Sequence, residues 1–457
     1  AFVACSDDEP AVEEEEDPPP NETRTVGLLQ GDERATEGYT LYAPMSSTDT
    51  YLLDEDGLAV HSWASLYRAA LSVYLLDDGS LLRTCKLDPA EQGVFAIGGS
   101  GGRVERISWS GEVVWSYEYA DAERYLPHHD VAVMPNGNVL MIVWERKSSD
   151  EAIAAGRDPD NIPEGEVWPD HVIEVEPDGE SGGTIVWEWH AWDHLVQDFD
   201  PTKPNYGDPA ENPGRIDLNH VTSERADWLH ANSVAYDAEL DQIVLSVRTF
   251  DEVWIIDHDT TTEEAAGPAG DLLYRWGNPQ AYGLGDATDQ VLDGQHDATW
   301  IVGDLPGERR LLVFNNGTER GWSSVDEIEL PLLADGTYER GAGQAFGPDA
   351  LAWTYAPSPA SSLFSRSLSG AQRLANGNTL ICDGNHGRFL EVTSAGEIVW
   401  EYVNPVTRTG ILAWNEPVPT TPDGSTQNNV FRVERYAPDH PGLVGRDLSQ
   451  GTPIEGE

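Results

Sequence analysis

SGAQRLANGNTLICDGNHGRFLEVTSAGEIVWEYVNP, residues 369–405, carries four strand-like pieces and two tight turns. SGAQRL and NTLICDG flank Ala375-Asn376-Gly377, and RFLEV and EIVWEY flank Ser394-Ala395-Gly396. Asn-Gly and X-Gly between β-branched runs are strong hairpin signals, so the stretch predicts a four-stranded antiparallel meander. A lone meander leaves its faces and edges uncovered and needs neighbours.

The chain supplies them. Residues 131–142, VAVMPNGNVLMI, match AQRLANGNTLIC almost position for position. Residues 106–117, RISWSGEVVWSY, match LEVTSAGEIVWEY, and residues 171–189 repeat that hairpin with a short insertion. A recurring four-stranded unit is the mark of a β-propeller. Six units can be drawn, each with a tryptophan in its last strand: Trp63, Trp115, Trp187, Trp276, Trp353 and Trp400. These tryptophans read as packing residues between blades. The first unit lacks an innermost strand, and residues 428–438, NNVFRVERYAP, are strand-like and unassigned. The prediction is an all-β, six-bladed propeller of four-stranded antiparallel blades over 38–440, its ring closed by this C-terminal strand, with 441–457 as a tail.

Composition narrows the partners. Asp and Glu number 81 against 27 Lys and Arg, a formal net charge of −54. No basic patch exists to bind nucleic acid by counterion release, and anionic lipid would repel such a surface. No apolar run approaches the length of a membrane span. An acidic, lysine-poor surface fits either high salt, which screens self-repulsion, or lineage composition. Of the three cysteines, Cys85 and Cys382 end strand-like runs and are expected to be buried, inert thiols.

Ala1-Phe2-Val3-Ala4-Cys5-Ser6 resembles the end of a bacterial lipoprotein signal, with Cys5 as the lipidated residue and 1–5 as its remnant. Residues 6–37 begin with DDEP, EEEED and PPP and are expected to form a disordered acidic, proline-rich tether. The expected location is the periplasm or cell surface, with membrane contact only through a lipid on Cys5.

Residues at the starts of innermost strands line one end of a propeller's channel. His129 in LPHHD, His230 in WLHANS and His296 in GQHD are expected at one structural position in successive blades. Arg320, in NNGTER, could turn toward the same mouth. Histidines with an arginine make an anion site, since a guanidinium offers a bidentate fork and a neutral imidazole a nucleophile or base. Two insertions, 145–170 and 190–228, are expected to cover the mouth, with WDHLVQDF as a short helix. Trp228, Trp192, Asn232 and Gln372 are candidate substrate contacts, together with the loop aromatics Trp189 and Tyr206. His386 reads as peripheral. No metal ligand set is assigned and no cofactor is implied; the Asp-rich loops would admit calcium, but no specific motif asks for it.

HHDVAVMPNGNVLMI, DWLHANSV, GQHDATW, VFNNGTERG and the NGNTLICDGNHGRFLEV…GEIVWEYVNP hairpins together resemble the arylsulfotransferase family of bacterial proteins, from about 38 to 436. The resemblance implies a periplasmic six-bladed propeller that moves a sulfuryl group from a phenolic sulfate ester to a phenol, without a nucleotide donor, by ping-pong through a sulfohistidine. It carries active-site roles onto His230, His296 and Arg320, and less securely onto His129. The sixth unit begins Ser369-Gly370-Ala371-Gln372 and offers no histidine there, so the nucleophile is left open between His296 and His230. Two other functions fit the same residues: a metal-dependent enzyme using the His cluster with Asp130 or Asp297, and a non-catalytic lipoprotein that binds an aryl or glycan ligand or a partner.

Overall fold

The computed structural model describes residues 24–457, except 89–94, 96, 223–224, 304, 450 and 457. Cys5 and the lipoprotein-like remnant lie outside the described residues. Six antiparallel sheets surround an axis, and their first strands pack side by side around it. From the axis outward, blade 1 runs Val430–Tyr436, Tyr39–Pro44, Asp49–Leu53 and Ala59–Ala64. The C-terminal strand therefore closes the ring as the sequence predicts. Blade 2 begins with Ala69–Leu75, blade 3 with Tyr125–Val133, blade 4 with Ala231–Asp237, blade 5 with His296–Trp300 and blade 6 with Gly370–Arg373.

The landmark tryptophans rivet each blade to the next. Trp115, Trp187, Trp276, Trp353 and Trp400 donate their indole N–H to Gly182 O, Thr260 Oγ1, Pro348 O, Ser394 O and Glu55 O, at 2.8–3.3 Å. Every acceptor lies in an outer loop of the following blade. Trp63 packs edge-on against Trp109 instead, centroids 5.3 Å apart. One residue type thus supplies a large apolar area and a polar tip that locks the neighbour.

A second ring of contacts runs near the axis. Val234 N–H donates to Asp130 Oδ2 (3.2 Å), Ala298 N–H to Ser233 Oγ (2.9 Å), and Ala371 N–H to Asp297 Oδ2 (2.9 Å). Gly370 takes the corresponding position in blade 6, where a Cβ would fall 2.1 Å from Asp297 Oδ2. Gln372 does the joining there, accepting from Arg435 N–H (2.7 Å) and donating to Arg435 O (3.1 Å). Arg432 closes the network from blade 1, 2.9 Å from Asp130 Oδ2 and 3.0 Å from Asp297 Oδ1.

Three boundaries differ from expectation. Gly27–Gly31 pairs with Ile398–Val403 as a fifth strand of blade 6, so the end of the expected tether is ordered from residue 24; the rest of that segment lies outside the described residues. Its apolar VGLLQ covers an otherwise open edge. The expected tail also packs on the propeller: Thr452 bridges Ala59, and Glu455 pairs with Arg24 at 2.6 Å. WDHLVQDF is no α-helix; it forms a 3-10 turn, Ala191–Asp193, and a short strand, Leu195–Val196. Cys85 and Cys382 are buried free thiols, and burial pushes Cys85 up to about 12.

Candidate active site at the mouth of the channel

The two insertions join into one cap. Asp158 N–H donates to Asn219 Oδ1 (2.9 Å), Asn219 Nδ2 to Gly156 O (3.0 Å), and Asn205 Nδ2 to Ala155 O (2.9 Å). Trp168 N–H reaches Ala226 O at 2.6 Å and Trp228 N–H reaches Trp168 O at 3.2 Å. These bonds fix Asp227 over the start of the innermost strand of blade 4.

Asp227 Oδ2 accepts a short hydrogen bond from His230 Nδ1. Burial alone would raise this carboxyl, but the charge and hydrogen bond of His230 outweigh it and hold Asp227 below the usual range. With Nδ1 committed, the lone pair of His230 lies at Nε2. His230 has φ +52°, a left-handed conformation uncommon for a non-glycine residue, just before the bulge between Ala231 and Ser233. Its side chain is 19% exposed.

His129 meets His230 edge-on, with ring centroids 4.6 Å apart. Behind it, His128 Nδ1 is 2.7 Å from His129 Nδ1, and His128 Nε2 is 3.1 Å from Asp170 Oδ1. When His128 donates to Asp170, its Nδ1 accepts from His129, and the His129 lone pair is left at Nε2. Burial, followed by the neighbouring His230, His128, His296 and Arg248, pushes His129 well below the ordinary imidazole range, so it is neutral. Gly99, at φ +97°, lies so close that a Cβ would fall 2.0 Å from His129 Cε1. Only a glycine lets the backbone lie this close to the ring.

His296 is held at both nitrogens, Nδ1 by Asn316 Oδ1 (2.8 Å) and Nε2 by the Leu368 N–H (3.2 Å). Burial, then Arg248, lowers its pKa well below normal. It is a fixed neutral wall with no free lone pair.

A cation at this mouth is Arg248. Its guanidinium lies near Gly294, two residues before His296, and lines a cavity of about 400 Å3 with Thr318, Phe364, Arg366, Asn385 and His386. Arg320, the arginine expected there, folds back instead: Nη2 donates to Ser324 Oγ (2.7 Å), Nε to Trp322 O (2.9 Å), and the guanidinium sits 3.8 Å from the Trp322 ring centroid. His386, expected to be peripheral, faces the same cavity, with Nδ1 2.8 Å from Asp383 Oδ1; that bond raises its pKa.

The other candidate contacts go elsewhere. Asn232 is fully buried and donates to Gln295 O (2.8 Å), joining blades 4 and 5. Trp228 is 1% exposed and packs against Phe250 and Trp192 in the core of the cap, and Lys147 lies over the Trp192 ring. Gln372 joins blades 6 and 1. Trp189 is buried, while Tyr206 is half-exposed. The expectation of one shared position holds for His129 and His296, which each precede a joining aspartate. Asn232 takes that position in blade 4, and the bulge lets His230, two residues earlier, reach the same place. Asp130 and Asp297 are occupied by Arg432 and do not join the histidines.

The arylsulfotransferase (ASST) family profile matches residues 30–410. The chain belongs to the arylsulfotransferase family. A comparison with curated protein sequences returns no match. Solved structures similar to this arylsulfotransferase-family chain include a protein of unknown function from Bacteroides caccae (10% identity, 80% of this chain and 93% of that one, TM-score 0.43). They also include a periplasmic gluconolactonase, PpgL, from Pseudomonas aeruginosa (13% identity, 92% and 96%, TM-score 0.41), and a functionally unknown protein from Desulfotomaculum acetoxidans (8% identity, 88% and 100%, TM-score 0.41).

Asp227, Arg248 and His128 are the residues that sequence reasoning missed. A signal existed for Arg248. In an antiparallel blade the end of the second strand lies beside the start of the first, and Arg248 follows Val247, the partner of Ala231.

Proposed function

We propose that this arylsulfotransferase-family protein moves a sulfuryl group from a phenolic sulfate ester to a phenol acceptor, with His230 as the nucleophile. The observation that carries the proposal is the Asp227–His230 pair, which leaves a lone pair at Nε2 of a part-exposed imidazole whose own backbone carbonyl accepts from the N–H of Arg248, the arginine that lines the cavity. Family membership supports the reaction class.

In the first half-reaction His230 Nε2 attacks sulfur. An N–S bond forms, the S–O bond to the phenol oxygen breaks, and its electron pair leaves on the phenolate, which takes a proton from water. Arg248 opposes the charge of the sulfate oxygens. The sulfo-imidazole then carries SO3 on Nε2 and hydrogen on Nδ1, and its positive ring faces the Asp227 carboxylate. In the second half-reaction His129 takes the proton of the incoming phenol as the phenol oxygen attacks sulfur. The N–S bond breaks and returns its electron pair to His230, and His129 releases the proton to solvent. That release balances the proton taken up by the first product. His296 holds the wall of the site and does not form the intermediate.

The chemistry needs no cofactor. The AFVAC stretch supports an exported protein, in the periplasm or at the cell surface, lipid-anchored through Cys5. The test of the reaction is release of phenol from an aryl sulfate. Turnover is expected only with a phenol acceptor present and is expected to vanish in His230→Asn. Full turnover in that variant excludes His230 as nucleophile, and continued release without acceptor, beyond the single equivalent that loads His230, excludes transfer.

A further inference from the structure

Away from the mouth, three donors from adjacent strands of blade 3 converge. His171 and His190 are direct partners across Asp170–Pro177 and Gly183–His190, with rings stacked 4.7 Å apart. Glu145 ends the neighbouring strand, Val139–Glu145, two residues beyond the Val143–His171 pair, which puts it diagonally beside His171 on the same face. One potential ligand atom from each of the three lies within 4.8 Å of the others. His171 is 0% exposed, and neither of its ring nitrogens has a hydrogen-bond partner. A buried imidazole with two unmet nitrogens is costly unless something completes it.

From these facts we infer that Glu145, His171 and His190 form a binding site for a divalent transition metal ion such as zinc. The surrounding bonds fit a ligand set. Glu145 Oε2 is held by Lys147 Nζ at 2.9 Å, which leaves Oε1 to ligate. His190 Nε2 is 3.2 Å from Glu188 Oε2, so it can donate there and present Nδ1, itself 3.3 Å from Glu145 Oε1. Histidines on metals commonly donate their other N–H to a carboxylate in this manner, which fixes the tautomer. Two imidazoles and one carboxylate suit zinc and its neighbours better than calcium or magnesium, which take all-oxygen sets. Tetrahedral zinc places its ligands about 3.3 Å apart, so the set has to close slightly on binding. Tyr119 and Tyr125 wall the site beside His171.

The position gives the metal a role. Glu145 is the last residue before one insertion of the cap, Asp170–His171 is where that insertion returns to the sheet, and His190 is the last residue before the other. One ion would tie together three of the strand ends from which the cap springs. This inference stands on blade 3 alone and is independent of the reaction at the mouth.

The test strips the full protein with a chelator, then dialyses it against micromolar zinc in millimolar magnesium, which occupies the acidic surface. Zinc is measured by mass spectrometry. About one ion per chain is expected in the wild type and in His230→Asn, and less than a tenth of that in His190→Gln and Glu145→Gln. His190 is partly exposed, so its variant is expected to fold, as circular dichroism would verify. Cobalt(II) loaded into the wild type is expected to give the intense visible bands of a tetrahedral nitrogen–oxygen site. Zinc retained equally by His190→Gln, no zinc retained by the wild type, or only the weak octahedral cobalt spectrum would each overturn the assignment.

Discussion

Replacing Asp227 by Asn keeps the shape of the residue that orients His230 and removes its charge. Sulfuryl transfer to Nε2 leaves a positive ring with its Nδ1 hydrogen against this carboxylate. An anion about 4 Å from a developing unit charge, at an effective dielectric of about 20, contributes about 4 kcal/mol. That corresponds to about a thousandfold in rate. The Asp227→Asn amide can still accept from Nδ1, so the ring orientation survives, and the loss is expected mainly in kcat. Asp227 Oδ1 has no partner in the wild type, so stability is expected to fall by little. The assay is phenol release from 4-nitrophenyl sulfate at saturating acceptor, with thermal unfolding measured alongside. Asp227→Asn is expected to lose about a thousandfold in kcat with near-normal unfolding. A loss below about tenfold would refute the electrostatic role assigned to the carboxylate.

Arg248→Met is expected to raise the aryl sulfate KM and cut kcat/KM by about a hundredfold, whereas Arg320→Met is expected to stay within a few-fold of wild type; the reverse order would return the anion-binding role to Arg320. Trp400→Ala removes a buried indole and its bond to Glu55 O, and is expected to cost about 4 kcal/mol in chemical denaturation; a cost below about 1 kcal/mol would deny the inter-blade rivet. Glu434 lies on the innermost strand of blade 1 and lines an open cavity, and desolvation, with Asp297 second, pushes it up to about 8 from 4.5. Its native form therefore binds the proton more tightly than the unfolded form, and stability is expected to fall as pH rises from about 4.5 to about 8. A fully dry carboxyl would lose about 5 kcal/mol over that window; solvent in the open cavity screens this, and Glu434→Gln is expected to recover about 2 kcal/mol at pH 8 and nothing at pH 4. Equal effects at both pH values would contradict the assignment.

The architecture was legible because its determinants are local. Asn-Gly turns, alternating strands and one tryptophan per blade lie within short windows, and each tryptophan packs against the next blade's outer loop, five of the six with a hydrogen bond to it, so the same residue type recurs at the same place. The closing strand at 430–436 could be inferred because blade 1 lacked an inner partner. The site was only half legible. Positions at inner-strand starts identify residues near the axis, yet not whether they face the mouth or the next blade; Asn232 and Gln372 proved to be joints between blades. Arg320 has the expected place in the chain, but the turn closed by Gly321 N–H on Gly317 O sends it back along its own blade. Asp227 opens the DWLHANSV motif, but its place three residues before His230 does not by itself show that the carboxylate turns back onto the His230 ring. Gly27–Gly31 was hidden by the acidic run before it, which dominates any window that contains both.

The most direct measurement is to stop the reaction with aryl sulfate in the absence of acceptor, digest under alkaline conditions that preserve sulfohistidine, and locate the sulfuryl group by mass spectrometry. Sulfuryl transfer through His230 predicts the added mass on the peptide containing Leu229-His230-Ala231, gone in His230→Asn and discharged by added phenol. The added mass on the peptide containing His386 or His296, persisting in His230→Asn, would contradict it.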